Sequence, residues 1–161
     1  IPANNNEART ALEDGAESAQ KTAFEIGDWA RVQDGERGAV FTDSPDGPYP
    51  PNRNAVMTSK PFSLKDFKNP VLYFDAKYDV EKKHDRFAVE IETDGWFGKK
   101  WKEVARYDGV SDWNSQKIDL REISGKSDAR LRFRMESDRD RGGDGVYLDN
   151  IVVAEQEQVP L

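Results

Sequence analysis

Apolar residues in this chain recur at every second position in short runs, and the runs are separated by turn residues. Arg130–Glu136 places Leu131, Phe133 and Met135 on one face and charges on the other. Arg86–Glu92 does the same with Phe87, Val89 and Ile91, and Val71–Val80 with Leu72, Phe74, Ala76, Tyr78 and Val80. A period of two is the period of a half-buried β-strand. Shorter candidates are Trp29–Val32, Gly38–Phe41, Ala55–Ser59, Trp101–Tyr107 and Gln116–Leu120. Alternation breaks at Val104, which predicts a bulge. Turn signals stand at Asp46-Gly47-Pro48, Asp94-Gly95, Asp108-Gly109 and Gly142-Gly143. Helical periodicity is almost absent, although Arg121–Gly125 predicts a single helical turn. Many short strands at near-regular spacing indicate an all-β sandwich or barrel. Trp29 and Trp113, at strand positions, are expected in its core.

One strand resists this pattern. Gly143-Asp144-Gly145 is a turn signal, and Val146 to Val153 follows with β-branched, aromatic and aliphatic residues. Strict alternation sets Asp149 beside Tyr147, Ile151 and Val153, and Asn150 beside Val146, Leu148 and Val152. Either way a polar group sits in an apolar row. A buried carboxylate is costly unless it is paired or bound to a metal.

The length of 161 residues suits one domain with a sizeable core. Residues 1–11 read as a mobile arm, 12–154 as the sandwich and 155–161 as a linker or tail. Charged residues make up 34% with the signs interspersed, and mean hydropathy is −0.88. A net charge of −7 argues against binding nucleic acid, which needs a clustered basic face. No stretch approaches the roughly 20 apolar residues of a membrane helix. Without Cys there is no disulfide or thiolate chemistry, which suits a cytosolic protein and a bacterial secreted domain alike.

The order of motifs supplies a resemblance. Leu12-Glu13-Asp14-Gly15, Gly27-Asp28-Trp29 and Thr42-Asp43-Ser44-Pro45-Asp46-Gly47-Pro48-Tyr49 come first. Asn69-Pro70-Val71-Leu72-Tyr73-Phe74, Val89–Gly95, Trp113 before Ile118-Asp119-Leu120, Leu131–Arg134 and Asp144–Ile151 follow. Over roughly residues 11–154 the chain resembles the jelly-roll accessory modules of secreted bacterial proteins. These include the MAM-like and immune inhibitor A-like modules, and the related carbohydrate-binding jelly rolls. The chain departs from their pattern at Leu12, where an aromatic is usual, and in the lengthened hairpin Asp94–Trp101.

The resemblance implies a jelly-roll β-sandwich of two antiparallel sheets, secreted or on the cell surface and attached to other domains of a larger chain. It also implies a structural Ca²⁺ held by Glu13, Asp43 and Asp149, with carbonyls near Ala11 and Asp46. Calcium takes six to eight oxygen ligands, so carboxylates mixed with carbonyls suit it. The plainer alternative is that Asp149 caps a strand end or pairs with an Arg, while Asp43 and Ser44 make an Asx-turn. A second acidic loop, Asp138–Gly145, lacks the terminal bidentate Glu of an EF-hand and carries two Arg, so it reads as a solvated hairpin.

Trp96 and Trp101, in or beside one loop that also holds Phe97, and Tyr49, among prolines, are the candidate ligand contacts. Exposed aromatics stack on sugars or anchor protein partners. The single histidine, His84, lies in Lys82-Lys83-His84-Asp85 and reads as part of a solvated turn. No nucleophile elbow, zinc-protease motif or phosphate loop is present in the sequence. The expected function is a non-catalytic module for adhesion, binding or peptidase support, with a protein or glycan ligand on a cell surface or matrix. The alternatives are a dedicated carbohydrate-binding module and, behind it, a glycoside hydrolase or lyase on the same scaffold.

Overall fold

The computed structural model describes residues 9–140 and 142–156, which form two antiparallel sheets packed face to face. The strands are β1 (Thr10–Asp14), β2 (Phe24–Glu25), β3 (Ala30–Asp34), β4 (Gly38–Thr42) and β5 (Asn54–Ser59). Then come β6 (Pro70–Val80), β7 (Arg86–Gly95), β8 (Gly98–Tyr107), β9 (Gly109–Asp119), β10 (Leu131–Glu136) and β11 (Gly145–Glu155). One sheet runs β3-β4-β11-β6-β9 with β1 also on β11, and the other runs β2-β5-β10-β7-β8. This is a sandwich, as the alternating runs predict, with the jelly-roll fold that the resemblance implies. Thr10 and Ala11, expected in the arm, belong to β1, while residues 1–8 and 157–161 lie outside the described residues.

The three strongest sequence runs became β10, β7 and β6, and their inward residues meet across the gap between the sheets. Leu131, Phe133, Met135, Phe87, Val89 and Ile91 are fully buried. Phe133 packs edge-on against Phe74 at 5.2 Å between ring centroids, and near-parallel to Phe87 at 6.1 Å. Phe24 extends the group from Phe133 to Phe41. Aromatic pairs in these geometries add about 0.5–1.5 kcal/mol each beyond their buried area. The expected bulge is present: Ala105 faces Val89 and Glu103 faces Glu90, so Val104 is the extra residue. The helical turn is also present, as a 3₁₀ turn at Arg121–Ile123.

Strand β11 is where strict alternation fails. Along one edge it pairs with β6 from Gly145 to Glu155. Along the other it pairs first with β4, through Tyr147 and Leu148, and then with β1 from Ile151 to Ala154. Asp149 and Asn150 fall at the changeover. The register against β6 shifts there, and Asn150 takes φ 50°, a left-handed conformation that Asn tolerates better than β-branched residues. The core face therefore changes from Val146 and Leu148 to Ile151 and Val153, all four fully buried. Neither apolar row has to hold a polar residue. Asp149 remains on the outer face of the sheet with Tyr147.

Trp29 is buried as expected. Trp113 is not: it sits half-buried on the outer face of the six-stranded sheet. Plain alternation explains this: Ile118 faces the core, so Trp113, an odd number of residues back along β9, shares the outer face with Ser115 and Lys117.

If the left-handed residue controls the parity change, Asn150→Gly costs about 1 kcal/mol, from the lost side-chain hydrogen bond. Asn150→Val costs about 2–3 kcal/mol, because left-handed strain is added. Urea unfolding distinguishes the two, and equal losses discard the strain argument.

Candidate functional site

Two carboxylate nodes stand where the chain changes direction, and each already has a cation. Asp43 is fully buried at the end of β4. Its Oδ1 accepts the Val146 N–H at 2.8 Å, and its Oδ2 accepts the Ser44 hydroxyl at 3.0 Å. Arg53 lies 4.0 Å from the carboxylate and donates to the carbonyls of Asp43 and Asp28 at 2.6 and 3.2 Å. Burial raises the Asp43 carboxyl above its ordinary value, against the pull of these donors and Arg53. Gly145 follows from the same contact, since a Cβ there would meet Asp43 Oδ1 at 2.5 Å.

Asp149 forms the second node, on the outer face. The Arg37 guanidinium sits 2.8 Å from Asp75 and 3.6 Å from Asp149, and stacks over Trp113 at 4.2 Å. Asn150 Nδ2 and Ser115 Oγ also donate to Asp75. Burial raises the Asp75 carboxyl, but the donors Asn150, Ser115 and Arg37 outweigh it and hold it below its ordinary value. The Asp149 carboxyl is raised, by burial first and also by its neighbour Asp75.

The five residues named for calcium are not brought together. Glu13 and Asp46 are exposed, Ala11 is half-buried, Asp43 is sealed inside, and Asp149 faces Arg37. Among the described residues, no three of these carboxylates offer oxygens within 4.8 Å of one another. The set as it stands does not fit a calcium shell: guanidinium groups occupy the cation positions beside both buried carboxylates. The buried carboxylate of β1 is Asp14, one residue on from Glu13. It accepts from Ala16 N, Ala23 N and Thr22 Oγ1 and so shapes a local turn.

The aromatic candidates separate sharply. Tyr49 is buried, and its hydroxyl donates to Asp85 at 2.6 Å and accepts from Glu81 N at 3.0 Å. Burial, together with the bond to Asp85, pushes its phenol up to about 12. Gly142 lets the β10–β11 loop close over that ring, because a Cβ there would lie 1.7 Å from it. Tyr49 therefore locks loops together and is no ligand platform. Trp101 is half-buried under Arg132 at 4.2 Å and Arg130 at 5.4 Å, which cover the ring. Those arginines belong to a charged lattice on the outer face of the five-stranded sheet, where Arg132 and Arg134 both bind Glu90.

Trp96 is the candidate that faces solvent. The β7–β8 hairpin pairs Gly95 with Gly98 and presents Trp96 and Phe97 at its tip, 92% and 98% exposed. Gly98 takes φ 122°, a conformation open to glycine, and the tip is rigid because ladder pairs begin immediately below it. The tip is braced by Lys99 on Asp128 and by Lys126 on Asp94. Phe97, the third aromatic of this loop in the sequence, shares the exposed tip with Trp96.

A cleft that the sequence did not suggest opens on the outer face of the six-stranded sheet, with a volume of about 340 Å³. Lys77, Asp79, Val110, Asp112, Asp144 and Tyr147 line it. The Tyr147 hydroxyl donates to Asp144 at 3.0 Å, and burial with that bond raises the phenol to about 12.

No protein-family model matches the chain. It is 25% identical over 118 residues to Bacillopeptidase F of Bacillus subtilis (strain 168), a match covering 73% of this chain and 8% of that protein. Among solved structures it resembles the K2 cleaved adhesin domain of Lys-gingipain, with TM-score 0.56 and 15% identity over 89% of this chain and 99% of that one. It also resembles a family 29 carbohydrate-binding module of Piromyces equi, with TM-score 0.54 and 13% identity over 92% and 93%. A family 16 carbohydrate-binding module gives 0.50 and 17% over 80% and 86%. At these identities the structural likeness shows the jelly-roll fold.

Two outcomes test the charge arrangement. Arg53→Ala leaves Asp43 buried without its cation and lowers stability by about 3–5 kcal/mol, while calcium chloride added to metal-free wild type leaves its melting temperature unchanged. A rise in melting temperature with calcium, absent in Asp149→Ala, would restore calcium to this region. Separately, Glu90 is held below its ordinary value: burial raises it, but the hydrogen bonds from Arg132 and Arg134 outweigh that. Its stabilisation is full above the unfolded pKa of about 4.3 and is lost as pH falls through the lower native value. Glu90→Gln therefore flattens the acid limb of a stability–pH curve, and an unchanged limb contradicts the pairing.

Proposed function

We propose that the chain is a non-catalytic adhesion and binding module of a secreted, multidomain protein, and that it meets its partner through the Trp96–Phe97 tip. The observation that carries this reading is the full exposure of two adjacent large aromatics on a rigid hairpin. Single exposed apolar residues are ordinary, but a contiguous apolar projection marks a contact surface. Trp is enriched among residues that dominate binding energy, and a rigid tip loses little entropy on docking. The partner is a protein or glycan of a cell surface or matrix. The resemblance to Bacillopeptidase F supports a place beside a peptidase, and the adhesin and carbohydrate-binding neighbours support a binding role.

The cleft at Tyr147 favours a second reading, as a carbohydrate-binding module. A lining of two tyrosines, three carboxylates and a lysine suits a sugar, whose apolar face stacks while its hydroxyls bond.

Retention on a panel of polysaccharides and extracellular-matrix proteins separates the readings. Trp96→Ala with Phe97→Ala lowers affinity for the retained ligand by about 30-fold or more, while Tyr147→Ala leaves it unchanged. Loss with Tyr147→Ala alone transfers the site to the cleft, and equal retention by both variants removes both surfaces.

A further inference from the structure

The turn between β6 and β7 meets the loop between β10 and β11 at a group of side chains that neither binding surface uses. Glu81, His84 and Asp138 each present an oxygen or ring nitrogen, and these atoms lie within 4.8 Å of one another. His84 Nδ1 stands 3.7 Å from Asp138 Oδ2. Two ligands at about 2.0 Å from a tetrahedral zinc ion are about 3.3 Å apart, so this pair is close to coordination spacing already.

Both acidic residues are anchored by groups outside the cluster, Asp138 through backbone and carboxylate and Glu81 through its backbone. Asp138 donates its N–H to Asp85 Oδ1 at 2.8 Å, and its carbonyl accepts Asn52 N at 2.6 Å. Its Oδ1 accepts Asp140 N at 2.9 Å, which leaves Oδ2 directed to His84. Glu81 is fixed by its N–H on the Tyr49 hydroxyl and by its carbonyl, which accepts Asp85 N. Glu81 Oε2 is enclosed and has no hydrogen-bond partner among the described residues. Desolvation first, then the charges of Asp138, Asp85 and Asp140, raise the Glu81 carboxyl, while His84 opposes them. An acidic surface patch is ordinarily hydrated and needs no ion. The imidazole and the enclosed, unsatisfied oxygen distinguish this group from such a patch.

We propose that Glu81, His84 and Asp138 bind a divalent transition-metal ion of the zinc type, which staples the β6–β7 turn to the β10–β11 loop. One imidazole with two carboxylates suits a borderline ion, whereas calcium favours an all-oxygen shell of six to eight ligands. A neighbouring cleft of about 440 Å³, lined in part by His84, Arg86 and Asp138, leaves room for water at the fourth position.

His84 is the only histidine, so its ring is a unique reporter in a chain without an affinity tag. In EDTA-stripped protein, one equivalent of zinc chloride shifts the imidazole nitrogen resonances, while calcium chloride leaves them in place. Zinc at 100 times its dissociation constant raises the melting temperature by about 5–10 °C. His84→Ala and Glu81→Gln each weaken zinc binding by about tenfold or more in calorimetry. His84 is exposed, so its removal leaves the fold intact. Ring signals unmoved by millimolar zinc, a response to calcium alone, or wild-type zinc affinity in either variant would overturn the site.

Discussion

One strand has to serve two neighbours in succession, and much of the molecule follows from how it does so. The edge of β11 is held by β4 at Tyr147 and Leu148 and by β1 from Ile151 onward. At the handover the backbone must turn its side chains over, or half the strand would face the wrong way. Asn150 accomplishes this in a left-handed conformation, and the Asn150 N–H, left without a strand partner there, is taken by the Asp149 carboxylate at 2.9 Å. The same kink gathers Asp149, Asp75 and Asn150 on the outer face, where Arg37 closes over them and Trp113 supports it. A requirement of pairing therefore produces a polar cluster that looks, in sequence, like a ligand set.

Three other buried carboxylates also meet cations, whereas Asp14 and Asp85 are held by N–H and hydroxyl donors. Asp43 has Arg53, Glu90 has Arg132 and Arg134, and Glu92 has Arg130 with Lys99. Part of the high charge content of the chain is thus taken up in pairs across strands on the outer sheet faces. Such pairs contribute less than their Coulomb attraction implies, since each ion gives up water on the way. Their effect is on specificity: removing either partner leaves a charge that the site cannot hydrate.

The architecture was legible wherever one face of a strand is apolar. β6, β7 and β10 announce themselves by period two, and Val104 announces its bulge by breaking it. β1 and β2 were hidden because they are short, and β1 buries only Leu12 and Asp14. Sites were harder to read, for a related reason. Glu13 and Asp14 are neighbours in sequence but face opposite sides of β1, so one residue decides which carboxylate is exposed and which is buried. Tyr49 among prolines reads as exposed, and only the later Gly142 explains why a loop can lie on it. Trp96 was legible because glycines bracket it at a hairpin tip. The approach of His84 to Asp138 was not, since the two stand far apart along the chain.

The pairing of β1 with β11 has a mechanical meaning. Thr10 lies opposite Ala154, so the two strands leave the sandwich side by side, about 4.8 Å apart. Tension applied through the chain on either side would pull these strands apart crosswise, breaking their hydrogen bonds one after another instead of all together. A load carried through the backbone would peel the module open from its first strand, whereas a load borne at the Trp96–Phe97 tip would enter along the full length of the β7–β8 ladder.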